Sequence, residues 1–320
     1  MLNDPLQYAF PLPLARTIFP MGFPVRITTN SAEVIRAADD MWGVYEARFN
    51  CPPLEIRFAV DEASKSERPP AVLPRAKDNV LAFVHSADNF AIADMLRGSS
   101  FSFLTSSVVA DPGYFCYHFL EPLVYMMLGA LYLTPIHAAC VAWNDSGILL
   151  CGDTGAGKTS LAYACARRGW TYVADDASHL LRPGLDRRIL GRPHQIRFRS
   201  TAALIFPELA AFPPVQRANG KFDLEIKTSA LDILRTACEA RADRIVFPKR
   251  DVNGPASLHP MEKSRAAQWL YDILCMHEGS VREAQHQSLS ALLEQPIFEL
   301  RYTDPDEAEA KLRSLVTHGG

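Results

Sequence analysis

Two hydrophobic periods alternate over about the first 125 residues of the chain. Val25–Thr28 and Leu54–Val60 are apolar at about every second position, which predicts strands with one buried face. Between them, Ala32–Phe49 has apolar side chains three and four positions apart, which predicts an amphipathic helix. The polar, proline-containing stretch Glu62–Lys77 predicts a loop. These elements indicate an α+β domain at the start of the chain.

From Ile136 onward the pattern changes to strands that alternate with helices. Gly147–Cys151 is apolar throughout, Thr159–Arg168 reads as a helix, and Trp170–Ala174 reads as the next strand. This order predicts an α/β domain with a mostly parallel sheet and crossover helices. Ile297–Tyr302 predicts one more strand, at an edge of that sheet.

The break in pattern near Leu133–Pro135 predicts two domains. We predict a smaller N-terminal α+β domain at residues 1–130, which recognises the acceptor or regulates the protein. The second domain, at residues 131–320, would carry the chemistry. A chain of 320 residues has room for both, since domains of about 100 to 200 residues are typical.

Composition and charge exclude several classes of partner. A net charge of −3 and a pI of about 6.3 provide no overall basic field, so we predict no nucleic acid partner. The most apolar window, Phe119–Thr134, contains Glu121 and is shorter than the roughly 20 residues that cross a bilayer, so we predict a buried helix and no membrane partner. The chain does not open with a secretory signal, and its seven cysteines lack zinc-site spacing, so reduced thiols and a cytoplasmic location are expected.

A glycine-rich loop stands between the apolar strand and the predicted helix. Its pattern, Gly-x-x-x-x-Gly-Lys-Thr, is the Walker A motif, whose backbone N–H groups form a concave site for phosphate oxygens. Lys158 would bring a point charge to the outer phosphates, Thr159 a hydroxyl to Mg²⁺, and the following helix its positive end. We predict ATP and Mg²⁺ as cofactors, and these residues as the binding loop: Gly152, Asp153, Thr154, Gly155, Ala156, Gly157, Lys158, Thr159 and Ser160.

Two acidic residues and a histidine are candidates for the reacting groups. Asp175 and Asp176 follow the strand after the phosphate-loop helix, so in a parallel sheet they emerge at the same edge as the loop. One carboxylate can then hold the metal, and the other can accept the proton of an acceptor hydroxyl. His137 precedes a predicted strand, Ala138–Trp143, that is expected beside the strand carrying the loop.

A kinase also needs cations that offset the charge of the transferring phosphate, and the guanidinium fork of arginine suits phosphate oxygens. Candidates follow the acidic pair or the predicted strand Arg244–Phe247, and they are Arg192, Arg197, Arg199, Lys249 and Arg250. We rank Arg197 above the others because of the resemblance described next.

The segment from Ile136 to Asp176 resembles the catalytic domain of bacterial HPr kinase/phosphorylase. The similar runs are Ile136-His137-Ala138-Ala139-Cys140, then Gly147 through Thr159, then Arg168-Gly169 and Val173-Ala174-Asp175-Asp176, with matching intervals. The resemblance implies a P-loop kinase fold related to phosphoenolpyruvate carboxykinase, a mixed sheet around the phosphate loop.

The same resemblance implies a role for each matching residue. Lys158 would contact the transferring phosphate, Thr159 would help hold Mg²⁺, and Asp176 would be the base. Asp175 would support the metal or its water, His137 would belong to the active centre, and the retained Arg197 would be catalytic.

The chain also departs from that family. Where the family has an acidic residue, a hydrophobic residue, arginine and glycines, this chain has Gln195-Ile196-Arg197-Phe198-Arg199-Ser200. The family's Pro-Gly-Arg-Asn segment has only a loose counterpart in Pro248-Lys249-Arg250-Asp251. The resemblance therefore does not extend to phosphorylase activity or to HPr as the acceptor. The chain is more similar to the HPr-kinase-related group that includes kinases of the C-terminal serine of lasso peptide precursors.

These observations predict a Mg²⁺- and ATP-dependent kinase that acts on a hydroxyl, most simply a serine of a peptide or small protein. Two alternatives remain open at this point. One is a kinase of a small metabolite such as a free hydroxy amino acid, and the other is a nucleotide-binding regulatory module without transfer activity. A homo-oligomer is a further possibility that the sequence leaves open, as it does the choice between ATP and other triphosphates.

Overall fold

The structure is a computed structural model that describes residues 10–64, 67–70, 72–182, 184, 186–216, 222–231, 234–250, 254–274 and 279–318. Asp251, Cys275 and parts of the segment Glu62–Lys77 lie outside the described residues. The described residues form a mixed α/β structure that divides into two compact units. The first contains residues 10–131 with 279–281, and the second contains residues 132–274 with 282–318.

The first unit is built on a sheet whose described strands number seven, in the order β1-β2-β3-β7-β6-β5-β4. The pairs β2–β3 and β3–β7 are parallel, and the other pairs are antiparallel. The elements are β1 (Leu14–Ile18), β2 (Val25–Thr29), α1 (Ala32–Trp42), β3 (Leu54–Asp61), β4 (Arg75–Lys77), β5 (Val80–Ser86), β6 (Asn89–Asp94), β7 (Ser99–Thr105), α2 (Ser106–Val109), α3 (Pro112–Phe115), a π-helical turn (Cys116–Leu120) and α4 (Glu121–Leu131).

Hydrophobic periodicity explains these elements. Every second residue of β3, beginning with Leu54, is buried, as the sequence predicts for a strand with one buried face. Helix α1 buries one face and ends at Trp42, seven residues before the predicted end at Phe49. The next residue is Gly43, and glycine has a low helix propensity. Helix α4 is apolar on all sides and buried, which confirms the prediction for this window. No helix in the described ranges combines the length and the apolar character of a membrane span.

The second unit contains a sheet of ten described strands and a separate three-stranded sheet, β14-β16-β15. Its elements are β8 (Leu133–Ile136), β9 (Ala138–Trp143), β10 (Ser146–Cys151), α5 (Lys158–Arg167), β11 (Thr171–Ala174), β12 (Ser178–Leu181), β13 (Arg188–Leu190), β14 (Gln195–Arg199), β15 (Val215–Gln216), β16 (Phe222–Lys227), β17 (Arg235–Thr236), β18 (Glu239–Arg250), β19 (Ser257–Pro260), α6 (Lys263–Asp272), α7 (Gly279–Leu292, which begins in the first unit), β20 (Ile297–Tyr302) and α8 (Pro305–His318).

Strand β10 lies in the middle of this unit and is buried on both faces. Ile148 and Leu150 belong to one hydrophobic cluster with α5 and α8, whereas Leu149 and Cys151 belong to another with α6 and α7. A strand covered on both faces has no polar alternation, which explains the uniformly apolar run before the glycine loop.

Two expectations about the large sheet are wrong. The sheet is mixed rather than mostly parallel. A two-residue turn at Asn144–Asp145 joins β9 and β10 into an antiparallel hairpin, and the pairs β9–β11, β8–β12, β12–β13, β13–β18 and β19–β20 are antiparallel as well. Strand β20 is present at Ile297–Tyr302 as predicted, but it lies between β18 and β19 rather than at an edge, since β19 pairs with its other side.

Candidate functional site

Three strand ends meet where the glycine loop begins. Strand β9 lies between β10 and β11 and is antiparallel to both, with Cys151 opposite Ala138 and Ala174 opposite Cys140. The carboxyl ends of β10 and β11 therefore lie at the same edge as the amino end of β9. This arrangement brings the loop after β10, the acidic pair after β11 and the histidine before β9 to one place.

The loop itself adopts a conformation that requires glycine. Gly155 and Gly157 have φ angles of +95° and +93°, a region that residues with a Cβ rarely occupy. A Cβ at Gly157 would also collide with the Oη atom of Tyr302, at the end of β20. Helix α5 begins directly afterwards at Lys158, so its positive end faces the loop. The local geometry is that of an anion site at a helix N-terminus.

Lys158 is the buried cation of this loop. Its side chain is only 5% exposed, and its Nζ donates to the carbonyl oxygens of Gly152 at 2.7 Å and Asp153 at 3.3 Å. A third contact joins Nζ to Nε2 of His137 at 3.1 Å. Burial lowers the pKa of Lys158, and the nearby carboxylate of Asp176 opposes that shift. An ammonium desolvated in this way is well suited to a phosphate oxygen, which can replace the carbonyl oxygens.

His137 connects this lysine to the acidic pair. Its Nδ1 lies 3.2 Å from Oδ1 of Asp176, and the same Oδ1 lies 3.9 Å from Nζ of Lys158. Because the ammonium donates to Nε2, the neutral ring carries its proton on Nδ1 and donates it to Asp176. Burial lowers the pKa of His137, Asp176 raises it and Lys158 lowers it further, so the net shift is downward. The neutral imidazole therefore orients a carboxylate that is itself 58% exposed and open to an incoming hydroxyl.

Asp175 is held in a different environment from Asp176. Its Oδ2 accepts a hydrogen bond of 2.7 Å from the backbone N–H of Arg197. Part of the residue is accessible to solvent, but protein atoms surround the carboxylate, and this burial raises its pKa to about 6. The charge of Asp176 adds to the rise, and the Arg197 N–H opposes it. Adjacent carboxylates with different environments can take different roles.

The guanidinium of Arg197 is paired with a carboxylate of the neighbouring strand. Its Nε forms a 2.9 Å ion pair with Glu225, which stands opposite it in the β14–β16 pair. Its backbone N–H donates to Asp175, and the charge of Arg197 also opposes the rise in the pKa of that carboxyl. The sequence missed this because Glu225 is distant along the chain and nothing local marks it as the partner of Arg197.

The other predicted cations divide into two groups. Arg192 lies beside His179, where burial first and Arg192 second lower the pKa of the histidine to about 4. Lys249 lies near Glu299, whose pKa it helps to lower after Arg301. By contrast, the side chains of Arg199 and Arg250 approach the glycine loop at Gly155 and Gly157.

The hydroxyl side chains at the start of α5 remain partly exposed. Thr159 and Ser160 follow Lys158 in the first helical turn, and the Thr159 hydroxyl has no hydrogen-bond partner among the described residues. No group of three or more His, Cys, Asp or Glu side chains in the described ranges could hold a metal by itself. This donor set fits Mg²⁺ bound together with a nucleotide, since Mg²⁺ typically uses one or two protein oxygens plus phosphates and water.

Two aromatic residues belong to the site although the sequence did not indicate them. Trp269 of α6 donates its indole N–H to Oδ1 of Asp153 at 2.9 Å and packs against Phe247 with ring centroids 5.4 Å apart. Tyr302 is buried beneath Gly157. Its Oη has no partner in hydrogen-bonding geometry among the described residues, although the Arg250 side chain lies close enough to lower its pKa. The only sequence signal for Tyr302 was its place at the end of a predicted strand.

No protein-family model matches the chain, and no curated protein is significantly similar to it. Among solved structures, the chain matches the HPr(Ser) kinase/phosphatase from Coxiella burnetii with 13% sequence identity and a TM-score of 0.29. The match covers 58% of this chain and 99% of that chain. A TM-score at this level carries no functional argument, so the proposal below depends on the residues of the site.

Proposed function

We propose that the chain is a Mg²⁺- and ATP-dependent kinase that transfers the terminal phosphate of ATP to a hydroxyl, namely a serine of a peptide or small protein. The observation that carries the proposal is the connected set Lys158, His137 and Asp176 at a glycine loop that precedes a helix. A cation for phosphate and an exposed carboxylate for a hydroxyl stand within 3.9 Å of each other.

The residues of the site have separate roles in this reaction. The loop amides and the start of α5 bind the phosphates, and Lys158 exchanges its bond to the Gly152 carbonyl for a phosphate oxygen. Asp176 accepts the proton of the acceptor hydroxyl, while His137 fixes the orientation of that carboxylate. Bound Mg²⁺ would neutralise phosphate charge, and Thr159 with Asp175 are the residues that would hold it or its water.

Positioning and charge neutralisation provide most of the catalysis in phosphoryl transfer. Residues of these types are therefore able to supply it. We assign acceptor recognition to the N-terminal region, which forms a compact unit of its own. The chain's difference from the HPr kinase pattern at Gln195 is one reason to propose a peptide acceptor other than HPr.

The test uses the purified full chain with Mg²⁺, labelled ATP, and separate sets of serine peptides and hydroxy amino acids. Replacement of Asp176 by Asn should lower transfer by roughly 10²- to 10⁴-fold, the usual contribution of a general base, and change the Kd for MgADP less than threefold. Asp272→Asn, an exposed site on α6, is the matched control and should retain transfer.

Each alternative result would point to a different function or role. Equal loss of transfer and nucleotide binding in Asp176→Asn would make the residue structural. Transfer to free hydroxy amino acids but to no peptide would favour the metabolite kinase. Nucleotide binding with no release of ADP in any acceptor set would favour a regulatory module without transfer activity.

A further inference from the structure

Two arginines at the ends of different strands approach the glycine loop. Nη2 of Arg199, the last residue of β14, lies 4.0 Å from the position of a Cβ at Gly155. Nε of Arg250, the last residue of β18, lies 3.6 Å from the corresponding position at Gly157. The two guanidiniums therefore reach different parts of the same loop.

The described residues show no carboxylate partner for either arginine, although Arg250 also interacts with the phenol of Tyr302. Both are exposed, and within the described ranges neither forms an ion pair with a carboxylate, in contrast to Arg197 with Glu225. The positive charge of Arg199 contributes to the low pKa of Lys158, whose main cause is burial. Lys158, Arg199 and Arg250 thus concentrate three positive charges around the loop, an arrangement that a multiply charged anion would stabilise.

The buried phenol of Tyr302 interacts with Arg250. The two residues are opposite each other in the β18–β20 pair, and the charge of Arg250 opposes the rise that burial causes in the pKa of Tyr302. Tyr302 Oη and Nε of Arg250 both lie next to the position of a Cβ at Gly157, so the two residues contact the loop at the same glycine.

From these contacts we propose that Arg199 and Arg250 form a clamp on the polyphosphate of the bound nucleotide, and that the guanidinium of Arg197 takes no part in it. The inference deepens the proposed function and rests on it. Guanidinium groups bind phosphate oxygens through two parallel N–H donors, so the pair can hold two phosphate groups in one orientation. The clamp would recognise the phosphates of the bound molecule and not its base.

The experiment compares calorimetric titrations of the full chain with MgATP and with magnesium tripolyphosphate, which lacks base and ribose. Arg199→Gln and Arg250→Gln should each weaken both ligands by about tenfold or more and by similar factors, as expected for loss of a charge-assisted contact. Lysine at either position should recover part of the affinity, because it keeps the charge but not the fork. Arg241→Gln is the matched control, since Arg241 is an exposed arginine of β18 paired with Asp243.

Circular dichroism and thermal unfolding establish that each variant is folded, and the lysine variants provide a second test at any position where glutamine perturbs folding. Weaker ATP binding with unchanged tripolyphosphate binding would assign the arginines to the nucleoside and overturn the clamp. Unchanged binding of both ligands in the folded variants would overturn it as well. Failure of the wild-type chain to bind either ligand would instead remove the proposed function, so the two failures are distinguishable.

Discussion

Nζ of Lys158 lies 3.1 Å from Nε2 of His137, so a single imidazole links the phosphate loop to the acidic pair. The other ring nitrogen contacts Asp176 at 3.2 Å. A phosphate that draws the ammonium away would leave Nε2 of the histidine without its donor. Within the proposed function, nucleotide binding is therefore coupled to the hydrogen bonding of the carboxylate that acts as base.

Replacing Lys158 by Ala tests the role of the buried ammonium. The variant should weaken MgATP binding by about 10- to 100-fold, because a charge-assisted hydrogen bond contributes roughly 1.5–3 kcal/mol. Calorimetry or a fluorescent nucleotide measures the effect. Lys227→Ala, at the exposed end of β16, is the control and should bind as the wild type does. Unchanged affinity in Lys158→Ala would contradict the assignment of this loop to phosphate.

The stability of the metal-free protein should depend on pH through Asp175. Burial raises the pKa of this carboxyl from its ordinary value of 3.8 to about 6, so the folded protein binds a proton that the unfolded chain releases. Below about pH 4 the carboxyl is neutral in both the folded and the unfolded protein, so Asp175 makes its full contribution to stability. As the pH rises through 6, the folded protein must bury a charged carboxylate, and this contribution is lost. The total loss from this group is up to about 2–3 kcal/mol.

Asp175→Asn should remove that dependence, because an amide oxygen can still accept the Arg197 N–H without becoming charged. Urea unfolding at several pH values between 4 and 7.5, without Mg²⁺, compares the two proteins. The free energy of unfolding of the wild type should fall relative to the variant across this range. Asp272→Asn should follow the wild type, and parallel curves for wild type and Asp175→Asn would show that burial of Asp175 has no such effect.

Gly157 and Tyr302 should be energetically coupled. Gly157→Ala places a methyl group against the phenolic oxygen and also forces a residue with a Cβ to a φ of +93°. Tyr302→Phe removes that oxygen, which has no hydrogen-bond partner among the described residues, and the nearest remaining ring atom is 3.4 Å from the Cβ position. The phenylalanine variant should be as stable as the wild type or more stable by about 1 kcal/mol.

A double-mutant cycle measures this coupling by chemical unfolding. Gly157→Ala should cost less in the Tyr302→Phe background, by about 1 kcal/mol or more, while the backbone penalty of roughly 1–2 kcal/mol remains in both. Gly254→Ala, where a Cβ meets no neighbouring atom, is a control for the effect of backbone conformation alone. Additive effects of the two substitutions would show that the phenol does not set the requirement for glycine.

Trp269 should report the occupancy of the loop. Its indole donates to Asp153 within the glycine loop, so a ligand that reorganises the loop should change the fluorescence of this tryptophan. Trp269→Phe should abolish most of the fluorescence change on MgATP addition and weaken binding by no more than about tenfold, since one neutral-to-charged surface hydrogen bond is lost. Trp143→Phe, on β9 away from the loop, should retain the signal. A response that survives in Trp269→Phe would contradict the link.

Local patterns in the sequence were sufficient to predict much of the second unit. The unbroken apolar run at Gly147–Cys151 predicts a strand, and the structure confirms one at Ser146–Cys151, which is buried on both faces. The glycines and Lys158 in the loop reflect backbone and charge requirements that each position imposes by itself. Such elements are indicated by residues one to four positions apart, so they can be recognised along the chain.

Strand pairing was harder to predict from the sequence, because it depends on contacts between segments that are far apart in the chain. The sequence does not show that the hairpin turn at Asn144–Asp145 makes β9 antiparallel, or that β19 covers β20. His137 lies beside the loop because β9 is antiparallel to β10 and β11 and begins at the edge where they end. A β9 parallel to its neighbours would place His137 at the opposite edge. The edge predicted from a parallel sheet concerned only Asp175 and Asp176, which follow β11.

The sequence by itself determined which loop can receive a phosphate and which residues around it carry charge, because those properties belong to residue types at fixed local spacing. Tertiary structure decided which charges meet the loop. Arg197 pairs with Glu225 across a strand pair, whereas Arg199 and Arg250 reach the glycines from β14 and β18. A guanidinium acts on whatever its strand places within a few ångströms, and that depends on register and packing between segments far apart in the chain.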